Sequence, residues 1–190
     1  TDFSEFEVDG TYKMNGAATV WNDVQFQVSS ARVPASNFPS WEAFTTNTSE
    51  YAFSVNNEVD TSANEIPHWW KEGTIGHAHI HITTKAINNA EVTYAKFTVT
   101  FAYADINEVW VEAPLTAEIT IANPTAALTN LYLDLGDITL TNYLTETQMR
   151  CRVKRIAATT GTEYVGDIFI TQVGIHFEQD TIGTRSEKNK

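Results

Sequence analysis

A single cysteine, Cys151, rules out an intramolecular disulfide and any Cys-x-x-Cys thiolate metal site. It lies in Arg150-Cys151-Arg152-Val153, a strand-like alternation, and reads as a packed small residue rather than a nucleophile. Basic residues are scarce as well: 12 Lys and Arg face 24 Asp and Glu, a net charge of −12. That balance excludes a general nucleic-acid binder, which needs a basic face, and argues against an anionic membrane surface. No apolar run approaches the length of a bilayer span. Thr1-Asp2-Phe3-Ser4-Glu5 has neither the basic region nor the apolar stretch of a signal peptide, so a protein made in a cytoplasm and staying soluble is expected. Gly-x-Ser-x-Gly, His-Glu-x-x-His and the phosphate loop are all missing, and no carboxylate pair suits a glycosidase. No internal repeat occurs, and helical periodicity is almost absent.

What remains is period-2 alternation. Residues 92–101, Val-Thr-Tyr-Ala-Lys-Phe-Thr-Val-Thr-Phe, have the β-branched and aromatic composition of a strand. Similar patterns cover 21–28, 51–55, 77–83, 109–111, 117–121, 131–135, 150–156 and 168–177. Gly, Asn, Asp and Pro separate them, as turn chemistry requires. The expectation is one all-β domain, a mostly antiparallel β-sandwich or jelly roll of about eight or nine strands. Residues 1–16 are expected as an N-terminal arm, 17–178 as the domain and 179–190 as a polar tail. Short helical pieces are expected at Phe38–Phe44, with Pro39 in the first turn, and at Asn142–Glu146.

Three of the five histidines fall in one row, His77-Ala78-His79-Ile80-His81. On a strand they share one face, with Ala78, Ile80 and Ile82 on the other. The row is a metal site, a polar lining or a subunit contact. Imidazole binds Zn, Fe, Ni and Cu, but one strand supplies only part of a ligand set. His176 could complete a transition-metal site with His77, His79 and His81, or symmetry-related copies around a threefold axis could do so. Gly73 followed by His79-Ile80-His81 also fits the opening of a cupin motif. There the required carboxylate would fall at Lys85 or Ala86, so the two-His-one-carboxylate triad is not assembled locally.

The tryptophans Trp21, Trp41, Trp69, Trp70 and Trp110 form either a sugar-stacking platform or core and interface packing. Adjacent Trp69 and Trp70 cannot both face inward on an extended chain, which makes them candidates for an interface or a bend. Arg150, Arg152 and Lys154 share a strand face beside Arg155, the only dense basic cluster. It is a salt-bridged face or a docking patch for an acidic neighbour.

Three segments together resemble a family of bacteriophage virion structural proteins. The first is Trp21-Asn22-Asp23-Val24. The second is Ile66-Pro67-His68-Trp69-Trp70-Lys71-Glu72-Gly73-Thr74, followed by His77, His79 and His81. The third is Ile175-His176-Phe177-Glu178-Gln179-Asp180-Thr181-Ile182-Gly183-Thr184-Arg185. The similarity spans about residues 20 to 187 and departs from the family pattern at Ala78, where proline is usual, and at Ile82, where tryptophan is usual. It implies a non-enzymatic virion component of the capsid, collar or tail, without a cofactor. The expected partners are its own copies, a trimer foremost, and other virion proteins, with no direct contact to nucleic acid or membrane. The preserved ending gives Arg185 a docking role alongside Trp69, Trp70, Arg150, Arg152 and Lys154. A receptor- or carbohydrate-binding module on the same particle is the first alternative, and a cupin-like metalloprotein the second.

Overall fold

The computed structural model describes residues 2–140 and 142–183. The strands in chain order are β1 (Phe3–Phe6), β2 (Tyr12–Asn15), β3 (Val20–Gln27), β4 (Ser40–Ala43), β5 (Ser49–Phe53), β6 (Glu58–Asp60), β7 (Asn64–Glu65), β8 (Ile75–Thr84), β9 (Thr93–Ala104), β10 (Val111–Ile121), β11 (Asn130–Thr139), β12 (Gln148–Ile156) and β13 (Ile168–Gln179). Among the described residues the helical structure is one 3-10 turn, Gly16–Ala18. The fold is the expected antiparallel β-sandwich. One sheet runs β10-β9-β12-β6, with β7 also on β12. The other runs β11-β8-β13-β5-β4, with β3 paired along the second half of β13.

Alternation builds the core. Ala95, Phe97, Val99, Phe101 and Tyr103 of β9 face inward, as do Met149, Cys151 and Val153 of β12. From the opposite sheet Ala78, Ile80 and Ile82 of β8 meet them, with Val24 and Phe26 of β3. Phe26 and Phe101 join the two sheets edge to face, their ring centroids 5.9 Å apart.

Two strands change phase partway along. In β13 the inward residues are Ile168 and Ile170, then Val173, Ile175 and Phe177, because a bulge falls between Ile170 and Gln172. In β11 they are Leu133 and Leu135, then Ile138, because a bulge falls between Asp134 and Gly136. Gly136 takes φ +94°, a left-handed conformation that glycine adopts without steric cost. Both bulged strands pair with β8, one on each side, so the histidine strand lies between two irregularities.

Two expectations fail. Residues 38–44 form no helix: Ser40–Ala43 pairs with β5, and the Trp41 ring packs edge to face on Tyr51, centroids 4.8 Å apart. Tertiary pairing outweighs the local helix signal of Pro39 here. Asn142–Glu146 is turns rather than helix, closed by Tyr143 N donating to Leu140 O and Thr147 N to Leu144 O, with Glu146 at φ +73°. The strand count exceeds expectation because β1, β2, β4, β6 and β7 are too short to show a period. Val111 and residues 117–121 belong to one strand, β10, which runs through Pro114, while residues 109–110 precede it.

The N-terminal arm is a β1–β2 hairpin held by the chain's far end. Met14 N donates to Asp180 O (2.6 Å), Thr181 Oγ1 donates to Tyr12 O (2.7 Å), and Thr181 is buried.

Candidate functional site

Strand β8 is interior to its sheet, and its outward residues are His77, His79 and His81. Register places neighbours on both sides. Tyr132, Asp134 and Asp137 of β11 lie opposite His81, His79 and His77. Gln172, Gly174 and His176 of β13 lie opposite the same three in the same order. Asp23 of β3 pairs with His176. The face is therefore a patch of four histidines bordered by carboxylates and aromatics.

Each histidine is held differently. His77 Nδ1 is 2.6 Å from Asp137 Oδ1, and its ring packs on Trp21 at 5.0 Å. His176 Nε2 is 2.9 Å from Asp23 Oδ1. His79 is only 1% exposed. Its ring stacks on His176 at 4.3 Å and on Tyr132 at 5.1 Å, and its Nδ1 has no hydrogen-bond partner. A Cβ at Gly174 would come within 2.6 Å of His79 Nε2, so the missing side chain makes room for the ring. Burial, reinforced by His176 and His81, pushes the His79 imidazolium below the ordinary histidine range. Burial also raises the Tyr132 phenol. Beyond His81 the face continues into a cleft of about 340 Å³ lined by Phe44, Thr83, Leu128 and Gln172.

The histidines share a face as expected, and His176 joins them across β13. Their lone pairs do not converge within one chain. The stacked His79 and His176 rings lie only 23° from parallel, whereas nitrogen lone pairs point out in the ring plane. Among the described residues, the three ligand-type groups whose atoms fall within 4.8 Å of one another are instead Glu65, His68 and Glu146.

The Pro67–Thr74 segment is a clasp. Trp70 N donates to Pro67 O (3.0 Å), and Gly73 takes φ +79°. Thr74 Oγ1 accepts from Trp70 Nε1 (3.1 Å) and donates to Lys71 O (2.6 Å). Lys71 N donates to Glu178 O (2.7 Å), while Lys71 Nζ reaches Glu178 Oε2 at 2.9 Å. Asp180 N donates to Trp69 O (3.2 Å), and Glu72 Oε1 accepts from Thr145 N (3.0 Å). The clasp thus ties the chain before β8 to the end of β13.

Other expected positions fare unevenly. Trp70 is not a docking residue of this chain: it is fully buried and packs on Phe177 at 5.7 Å, because the bend of the clasp turns it inward. Trp69 is half-buried against the same core. Arg150, Arg152 and Lys154 share the outer face of β12. Arg152 grips Asp60 through Nε (2.8 Å) and Nη2 (2.9 Å), which holds the Asp60 carboxyl below its ordinary range. Lys154 pairs with Glu58 at 3.3 Å. Arg155 leaves the cluster altogether: it points inward, donating to the carbonyls of Phe53, Gly166 and Tyr164 and pairing with Glu163. Cys151 is buried, and burial pushes its thiol up to about 12, which fits a packed residue. Arg185 lies outside the described residues.

Sequence reasoning missed Tyr132, Asp137 and Gly174, which complete the histidine face. Their only signal is register, set by two bulges that no local pattern announces. Asp23 was visible within Trp21-Asn22-Asp23 but not its link to His176.

No family model matches the chain, and no curated protein does. Among solved structures it is similar to the CBM36-1 domain of a multidomain xylanase from the hindgut metagenome of Trinervitermes trinervoides. The TM-score is 0.42 and the identity 12%, over 81% of this chain and 96% of that one. It is also similar to the structure of infectious bursal disease virus Gt strain, with TM-score 0.36 and 9% identity over 84% of this chain and 32% of that one. Both scores are low, and nothing about ligand or assembly passes from these proteins to this chain. Among the described residues no helix is long and apolar enough to cross a membrane.

Proposed function

We propose that this chain is a structural component of a bacteriophage virion. It acts by assembling with its own copies and with other virion proteins, without catalysing a reaction. One observation carries the reading. The three separated segments that bear the phage resemblance come together in space. Trp21 packs on His77, Asp23 pairs with His176, Lys71 pairs with Glu178, and the Trp69 carbonyl holds Asp180. The result is one clasped edge beside one histidine face, on which Trp21 is 57% exposed. An exposed tryptophan beside stacked imidazoles suits a protein contact, since aromatic groups anchor interfaces.

The preferred assembly is a homotrimer meeting on this face. A metal set there would need nitrogens from more than one copy, because one chain does not converge them. Two measurements test the reading. Mass spectrometry and antibody labelling of purified particles should find the chain as a stoichiometric component. Sedimentation of the recombinant protein, with metal analysis, should give a mass above that of the 21.2 kDa monomer. Absence from particles together with a strictly monomeric chain overturns it.

A further inference from the structure

We infer a second binding site, on the opposite sheet, whose ligand is a neutral saccharide. The outer face of β10-β9-β12-β6 holds an open trough of about 680 Å³. That volume falls within the range of small-molecule clefts, roughly 300–1,000 Å³. Register explains its shape. Ala102 of β9 lies between Arg150 of β12 and Glu112 of β10, and Thr100 lies beside Arg152. Short side chains make the floor and long polar ones the walls. Trp110, 48% exposed, joins the lining just before β10.

The lining chemistry selects the ligand. Arg152 is already occupied by Asp60. Arg150 and Glu112 are not: among the described residues neither has a side-chain hydrogen bond or an ion pair. One offers donors in a planar fork and the other offers acceptors, across a floor of short side chains. Such a pair suits vicinal hydroxyl groups, and an exposed indole suits the C–H face of a sugar ring. The two arginines are balanced by Asp60 and Glu112, so the trough offers no net positive charge to a phosphate or a uronate. Four charged side chains exclude a lipid tail. An uncharged, hydroxyl-rich ring meets all of these conditions.

This site stands apart from the virion reading: absence from particles would leave it untouched, and loss of sugar binding would leave the assembly reading untouched. The full chain would be screened on an array of neutral and uronic-acid glycans. Hits would be titrated by calorimetry as soluble oligosaccharides, alongside xylohexaose, cellohexaose and maltohexaose. At least one neutral glycan should bind. Trp110→Ala and Arg150→Ala should each weaken it by about tenfold or more, a loss of about 1.4 kcal/mol. Glu112→Gln should weaken it less, and Trp21→Ala on the other sheet should leave it unchanged. Thermal melts would confirm that each variant folds, with Trp110→Phe as the conservative replacement that retains most binding. No neutral glycan binding, tighter binding of uronic-acid glycans, or unchanged affinity in Trp110→Ala overturns the inference.

Discussion

Adding a proton to His79 would place a charge under Tyr132, against His176 and near His81, with no hydrogen-bond partner at its Nδ1. Burial already depresses this group below its ordinary value of 6.5. The unfolded chain binds this proton more readily than the folded one, so the stability His79 allows is fully present above about pH 6.5 and is lost as pH falls below it. The urea midpoint should therefore drop between pH 7.5 and pH 5. In His79→Gln that drop should shrink, whatever the variant's stability at neutral pH. An identical drop in both proteins would show that other groups set the acid sensitivity.

At the scale of the element, β8 depends on its neighbours to make room for its histidines. Gly174 of β13 is the clearest case, because a methyl group there meets the His79 ring at 2.6 and 2.7 Å, and the ring is sandwiched and cannot swing away. Gly174→Ala should cost about 1–3 kcal/mol in chemical denaturation, the usual range for overpacking. Combining it with His79→Ala should cost less than the two single changes added together, since the clash is gone. Strict additivity would mean that the two residues do not press on one another. The same dependence sets what the sequence could reveal. Alternation marked β8, β9, β12 and β13, because each is long and one-faced. It placed His77, His79 and His81 on one side for the same reason. It missed β4, whose four residues pair only through tertiary contact, and it grouped Arg155 with a surface cluster although its guanidinium is satisfied inside. Trp70 followed the same logic, since only the bend of the clasp turns it inward. The face's other members arrive through register across bulged strands, which lies in pairing rather than in any local run.

Over the whole molecule, the first strands are fastened by the last described residues. Ending the chain after Gln179 removes the carbonyl of Asp180 that accepts from Met14 and the hydroxyl of Thr181 that donates to Tyr12. The sandwich should survive, while amides of residues 3–15 lose most of their protection in hydrogen exchange. Unchanged protection would show that the hairpin holds itself. The sheet borders also bear on how copies could gather. Of the strands bordering the two sheets, β10 carries Pro114, which offers no N–H, and β11 carries the Asp134–Gly136 bulge, which breaks the regular ladder. Neither border can template a neighbour's strand along its whole length, so fibre growth by endless sheet extension is blocked there. Copies meeting across the histidine face, as proposed, would instead saturate that contact and close the assembly at a fixed number.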